Sequence, residues 1–248
     1  YQLKSNNIFL KKEDIEKNLE KVISYQEIPL RSVSVISQYF VYKFIKENTN
    51  IKVVLNGQGA DEIFAGYTDY IYDYFIELIF SLKWIKFLNE FVLYSKFKKI
   101  SYTYILNNLF KKIYFLVIKK ITKTKINAIR KIVDKKRNIH HIYHGPKFRS
   151  KFYEKSKLKS HLHSVLFSAL YKGVLREYLH YDDRNSMALS LESRPPYLDQ
   201  NLVQYGEGLP SEVKISKGIS KACLRDAISE YTHPDIISYN QKKGFIFD

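Results

Sequence analysis

The chain has 248 residues, 45% of them hydrophobic, which excludes a disordered chain and allows one large domain or two small ones. Its single cysteine excludes an internal disulfide framework and a Cys-rich zinc site. The formal net charge of +16 is concentrated in one place: residues 83–159 hold 22 Lys and Arg against three acids, and the rest of the chain holds 19 against 22.

Cys223 stands beside Leu224, with Ala227 and Ile228 one turn on, and reads as a core thiol in preference to a nucleophile. A reducing, cytoplasmic setting fits that reading. The apolar run Ile113 to Ile118 is far too short to span a bilayer. Tyr1 is followed by polar residues with no signal-peptide pattern, and the expectation is a chain that starts mid-protein.

In chain order, residues 11–23 predict an amphipathic helix with Ile15, Leu19, Val22 and Ile23 at helical spacing. After Pro29, a second helix from about Ser32 to Asn48 is expected to bury Val33, Ile36, Phe40 and Phe44. Lys52 to Leu55 is the clearest strand, and its unbroken apolar run predicts burial on both faces of a parallel sheet. From Ala60 to about Lys136 the pattern is mostly helical. His140, His141 and His144 precede Gly145 and Pro146, and read as a solvated loop more readily than as a metal site, since no carboxylate or thiolate lies close in sequence. A helix is expected from near His161 to about Tyr181, and a last one over residues 219–230, ended before Pro234.

The segment richest in chemistry is Val53-Val54-Leu55-Asn56-Gly57-Gln58-Gly59-Ala60-Asp61-Glu62-Ile63-Phe64-Ala65-Gly66-Tyr67. A strand runs into a glycine turn and then a helix, the order expected at the carboxyl edge of an α/β sheet, where ligands bind. Glycines permit positive φ and close approach, so backbone N–H groups can converge on an anionic oxygen. Asp61 and Glu62 have two readings. They satisfy the N–H groups at a helix start, or Asp61 holds Mg²⁺ alongside substrate phosphates. G-x-G alone is a weak signal and leaves both open.

The whole string resembles the synthetase domain of glutamine-dependent asparagine synthetases, whose signature is a strand followed by Ser-Gly-x-Gly-x-Asp-Glu-hydrophobic-Phe-x-Gly-Tyr. Two further blocks match in order. One is Tyr181-Asp182-Asp183-Arg184-Asn185-Ser186-Met187-Ala188 with Glu192-Ser193-Arg194-Pro195-Pro196-Tyr197-Leu198-Asp199. The other runs from Leu209-Pro210 through Gly218-Ile219-Ser220-Lys221-Ala222-Cys223-Leu224-Arg225 to Lys242-Lys243-Gly244-Phe245. The resemblance implies a helix-rich α/β fold: residues 1–80 as part of a parallel-sheet ATP pyrophosphatase core of the adenine-nucleotide-hydrolase type, 81–160 as a basic helical segment, and 161–248 as a helical C-terminal part.

It also implies ATP-dependent amidation of a carboxylate, normally that of aspartate. The carboxylate is activated as an acyl-adenylate with loss of pyrophosphate, and ammonia comes from a glutaminase domain that this chain does not contain. By the same resemblance Asn56 and Gly57, with Gln58 and Gly59, contact ATP; Asp61 takes the metal, Mg²⁺; and Lys221 stabilises charge on the phosphates. Taken alone, Lys221 reads as a surface lysine. Glu62, Glu192 and Arg194 are expected to support the site wall, Arg194 pairing with Glu192 or Asp199.

The departures are Asn56 for the usual Ser, Ala65 for a usual Gly, variation at Pro195 and Tyr197, and Gln58, which cannot act as a base. The family's Ser-Gly-Gly-x-Asp-Ser phosphate loop has no counterpart in residues 1–50, and the expectation is negligible synthetase activity from this chain alone. Two other readings remain in view: a non-catalytic homologue that keeps the fold without the phosphate loop, and the basic stretch 83–159, interleaved with Tyr and Phe, as a surface for nucleic acid or an anionic membrane face, less favoured because no nucleic-acid motif is present and Lys-rich helix faces are usually solvated.

Overall fold

The computed structural model describes residues 5–137 and 160–239. The Lys242–Phe245 block and the His140–His144 loop lie outside them.

Two helices, α1 (Lys12–Gln26) and α2 (Ser34–Asn48), open the described chain. They pack with α8 (Val174–Met187) around Val22, Val35, Ile36, Tyr39 and Tyr181. The buried face of α2 is therefore Val35, Ile36, Tyr39 and Tyr42, while Val33 is exposed. Of the expected set Ile36 is buried and Phe40 packs partly buried against the cluster, while Tyr39 and Tyr42, which a hydropathy pattern ranks low, carry further apolar area into the contact. Polar groups pin the same junction: Gln26 Nε2 donates to Asn185 Oδ1 at 2.7 Å and Asn185 Nδ2 donates to the Val35 carbonyl at 2.8 Å.

Strand β1 (Val53–Leu55) pairs in parallel with β2 (Glu192–Arg194), Val53 opposite Glu192 and Leu55 opposite Arg194. The partner strand thus comes from a part of the chain about 140 residues away, as a parallel crossover requires. The expectation of a strand buried on both faces fails here. Val54 is half-buried, but Val53 and Leu55 are exposed, because among the described residues no helix covers the face they share.

Four helices follow: α3 (Ala60–Ile63), α4 (Thr68–Phe80), α5 (Trp84–Lys98) and α6 (Tyr102–Arg137). Of these α4, α5 and α6, with α7 (His161–Lys172), enclose the main core of Ile71, Phe75, Ile76, Tyr94, Ile105 and Leu162, while Ile63 of α3 belongs to a separate cluster with Leu170 and Leu175. Phe75 meets Phe87 and Tyr94 edge to face, with centroids 5.5 and 5.9 Å away, the geometry the ring quadrupole favours. Buried Asp73 of α4 accepts from Lys112 of α6 at 2.8 Å and lies 3.1 Å from the His161 ring of α7, tying the three helices.

The single helix expected from His161 to Tyr181 is two, broken at Gly173. Gly173 leaves helical geometry (φ −103°, ψ −152°), and a Cβ there would sit 3.0 Å from the backbone of Ala169. Beyond β2, a 3₁₀ turn (Pro196–Leu198), α9 (Gln200–Gly208) and α10 (Ser211–Lys214) lead to a small hairpin of β3 (Ile215–Ser216) and β4 (Ile219–Ser220). The expected 219–230 helix is shorter, α11 (Ala222–Ile228), because Ile219 and Ser220 pair with β3. Pro234 then opens α12 (Pro234–Ser238) as its first residue, where a missing N–H costs nothing.

Candidate functional site

The turn after β1 is built by one side chain. Asn56 N extends the strand ladder to the Arg194 carbonyl at 3.0 Å. Its Oδ1 accepts from Gln58 N at 2.9 Å, closing an Asx turn. Its Nδ2 donates to Asp182 Oδ2 and to Ser193 Oγ, both at 2.7 Å. The Gln58 N–H is thereby consumed, whereas those of Gly57 and Gly59 have no acceptor among the described residues. The two glycines differ. Gly59 has φ +92° and a Cβ there would meet Leu198 Cδ2 at 2.3 Å; a Cβ at Gly57 would meet nothing within 4 Å. Packing therefore dictates glycine at 59 and not at 57.

Asp182 is the hub beneath this turn, and the sequence reading did not single it out. It is buried in α8 and accepts from Tyr42 Oη at 2.5 Å, Gln38 Nε2 at 2.6 Å and Asn56 Nδ2 at 2.7 Å. Tyr42 Oη also lies 3.0 Å from Ser193 Oγ. Burial, reinforced by the Asp182 carboxylate, pushes the Tyr42 hydroxyl well above the usual tyrosine range, so it stays a donor. Asp182 and Asn185, three apart on one helix face, both point at α2. That shared face in the Asp-Asp-Arg-Asn-Ser-Met block was the available signal.

A second cluster forms where α3 ends. Lys221 Nζ lies 2.7 Å from Asp61 Oδ1, bringing together residues 160 positions apart. Gly66 makes the approach possible, since a Cβ there would sit 1.9 Å from Asp61 Oδ1 and 2.2 Å from Lys221 Cε. Lys221 caps α11 with φ +54°, and Ala65, fully buried, has φ +57°. Both are non-glycine residues in the left-handed region, which costs about 1–2 kcal/mol each.

The hairpin that presents Lys221 is clamped by an acid of the otherwise basic stretch. Buried Glu90 of α5 accepts from Lys217 N at 3.1 Å and Gly218 N at 2.7 Å. Gly218, at φ +71°, lies against the Tyr94 backbone, where a Cβ would be 2.3 Å from Tyr94 N. Arg225 holds the far side, its guanidinium donating to the carbonyls of Ser220, Ile237 and Tyr239.

The Asp61–Lys221 pair lines a cavity of about 340 Å³ with Lys98 and Arg225, a cationic lining relieved by one carboxylate. Burial, and then Arg225, holds Lys98 below the usual lysine range. Asp61 is thus a single, partly exposed carboxylate on a cationic cavity. Its Oδ1 is engaged by Lys221, and among the described residues no group of three or more His, Cys, Asp or Glu could hold a metal ion, so a Mg²⁺ there would take most of its shell from phosphates and water.

The other expected residues stand apart from this pair. Glu62 is buried and accepts from Tyr67 Oη at 3.1 Å. Arg194 pairs with Glu192 at 2.6 Å on the side of β2 away from Ser193, both exposed, while Asp199 caps α9 instead.

The sequence model of the family described as asparagine synthase matches residues 1–247. The chain belongs to that family. A stretch of 63 residues is also 41% identical to asparagine synthetase [glutamine-hydrolyzing] 3 of Bacillus subtilis (strain 168), covering 25% of this chain and 10% of that protein. The turn at Asn56–Gly59 and the Asp61–Lys221 pair are joined in the chain by the single turn of α3.

Proposed function

We propose that the chain forms the pyrophosphate-facing wall of an ATP site in a ligase that converts a carboxylate into an amide, with aspartate as the substrate to which the family name points. The observation that carries this reading is the Asp61–Lys221 contact across Gly66, where the first and last motif blocks meet on a cationic cavity.

In the reaction, a carboxylate oxygen attacks the α-phosphorus of ATP, pyrophosphate leaves, and ammonia then displaces AMP from the acyl carbon. The first step builds negative charge on the departing phosphate oxygens, which needs fixed positive partners. Lys221 is the cation proposed for that charge. Asp61 would hold Mg²⁺, which supplies further charge neutralisation there. The N–H groups of Gly57 and Gly59 are the proposed backbone donors. Asn56 spends its side chain on Asp182, Ser193 and Gln58 N, so its proposed role is to hold the turn in shape beneath ATP. Glu62, Glu192 and Arg194 are proposed as supports of the wall.

The fold proposed is that of the adenine-nucleotide-hydrolase-like ATP pyrophosphatases. Residues 1–80 belong to its α/β core, 81–160 form the basic helical segment, and 161–248 form the C-terminal part that returns β2 to β1. Ammonia from a glutaminase domain and a cytoplasmic setting complete the proposal. No helix among the described residues is long and apolar enough to cross a membrane.

Isothermal titration of ATP with Mg²⁺ into the 248-residue chain tests the reading. Asp61→Ala and Lys221→Met are each expected to weaken binding by about tenfold or more, the loss of one charge-assisted contact. Affinities equal to wild type, or no ATP binding by wild type, would sink it.

A further inference from the structure

One buried cation takes no part in the chemistry proposed above. Lys214, the last residue of α10, is 2% exposed, and among the described residues its ammonium has no ion pair or hydrogen bond. A charge held out of water without a counter-ion destabilises the fold, and a methionine would fill similar space without that penalty. The lysine lines a cavity of about 210 Å³ whose apolar walls are Ile63, Leu166, Phe167 and Leu170. Glu207 and His163 border both this cavity and a second of about 390 Å³, where exposed Gly208, Pro210 and Glu212 mark a way in from solvent.

The groups around the ammonium select its chemistry. Burial holds Lys214 down to about 8, so at pH 7 roughly one-tenth of it is a free amine, roughly a few hundredfold more than for a surface lysine. Glu207 of α9 lines the same cavity, and its Oε1 is buried without a hydrogen-bond partner among the described residues. His163 is fixed in place: Nε2 donates to the Leu209 carbonyl at 2.8 Å, and Nδ1 faces Ser160 Oγ at 2.8 Å. Cys223, on the helix packed against α10, is a thiol that burial pushes up and keeps protonated. Glu62 places a second carboxylate on the wall. A carbamate or any other anionic adduct of the amine would face both carboxylates and be repelled. An iminium keeps the positive charge of the ammonium and is matched by them. A desolvated lysine in an apolar pocket is the setting in which an amine attacks a carbonyl carbon.

We propose that Lys214 is a carbonyl-reactive lysine whose Nζ forms a Schiff base with a small apolar aldehyde, the carbon chain lying against Leu166, Phe167 and Leu170. Glu207 takes one proton from the ammonium, and the neutral Nζ adds to the carbonyl carbon. A second Nζ proton passes to the carbonyl oxygen, giving a carbinolamine. Glu207 returns its proton to that oxygen, which leaves as water, and the C=N bond forms with the last proton still on Nζ. The Glu207 carboxylate is then the counter-ion of the iminium.

Treating the 248-residue chain with limiting butanal and sodium cyanoborohydride at pH 7, then mapping the trapped butyl groups by peptide mass spectrometry, tests the proposal. Lys214 is expected to be labelled about tenfold or more above the median of the other lysines, and at that median when the chain is unfolded in urea. Lys214→Met should fold with equal or greater stability, and no remaining lysine should stand out. Glu207→Gln should slow labelling of Lys214 by about tenfold. Losing an acid–base group costs about a hundredfold or more, against a rise in free amine of at most about tenfold. Labelling of Lys214 at or below the median in the folded chain overturns the proposal, as does preference for Lys214 that persists in urea. An unchanged or faster rate in Glu207→Gln overturns the proton transfer assigned to that carboxylate.

Discussion

Removing the Asp182 carboxylate tests the claim that a buried charge shapes the turn above it. Asp182 is 3% exposed and has no cationic partner among the described residues; the donors from Gln38, Tyr42 and Asn56 carry its charge. Hydrogen bonds to a charged group contribute about 1.5–3 kcal/mol each, so three would give several kcal/mol if all were lost outright. They are not all lost in Asp182→Ala. Tyr42 and Asn56 keep Ser193 Oγ as a partner, and only Gln38 Nε2 is stranded. The expected cost is therefore about 3–4 kcal/mol, one orphaned donor and two weakened ones.

Asp182→Asn keeps the shape but faces an amide donor toward at least one existing donor, for about 2 kcal/mol. In urea the alanine variant should unfold at a midpoint lower by about 1–2 M. Amide exchange at Gly57 to Ala60 should accelerate beyond that global loss, because Asn56 is released from below. A change under about 1 kcal/mol in both variants, or exchange at the turn that merely tracks global stability, would refute the reasoning.

Burial holds Lys214 down to about 8, against 10.5 for a free lysine. Its folded value is depressed, so between pH 8 and about 10 the unfolded chain binds more protons and stability should rise with pH. Above about pH 10 the buried Tyr42, Tyr70, Tyr74 and Tyr94 and the half-buried Tyr67, all raised by desolvation, reverse the slope, as unfolded tyrosines ionise first. Lys214→Met should remove the lower-pH slope and stabilise the chain at pH 7 by about 1–3 kcal/mol, read by urea titration across pH. Ala65→Gly should be nearly neutral despite complete burial, within about 1 kcal/mol, because relief of the left-handed strain offsets the lost methyl and the greater unfolded-state freedom; thermal melts check this. Gly66→Ala should cost about 1–3 kcal/mol and separate Asp61 from Lys221, visible as weakened ATP binding beyond the stability loss.

Helices α1 and α2 and the strand at residues 53–55 were legible, and α3 to α6 only as one helical stretch from Ala60, because period and punctuation are local properties. The break at Gly173 was missed because an isolated glycine in an apolar pattern is compatible with a continuous helix until packing chooses otherwise. The pairing of β1 with β2 was invisible in sequence, since a three-residue strand 140 positions away has no period of its own.

The sequence by itself determined the family, through three ordered blocks of side chains whose spacing survives without knowledge of the fold. It also determined the uneven charge and the candidates Asn56, Asp61 and Lys221. Tertiary structure alone decided which of these touch. Asp61 meets Lys221 because Gly66 has no Cβ, Glu90 and Arg225 clamp the hairpin that carries the lysine, and Asp182 holds Asn56 from beneath. Contacts between residues so far apart in sequence depend on how helices pack, and packing is set by the shapes of buried surfaces that no local pattern encodes.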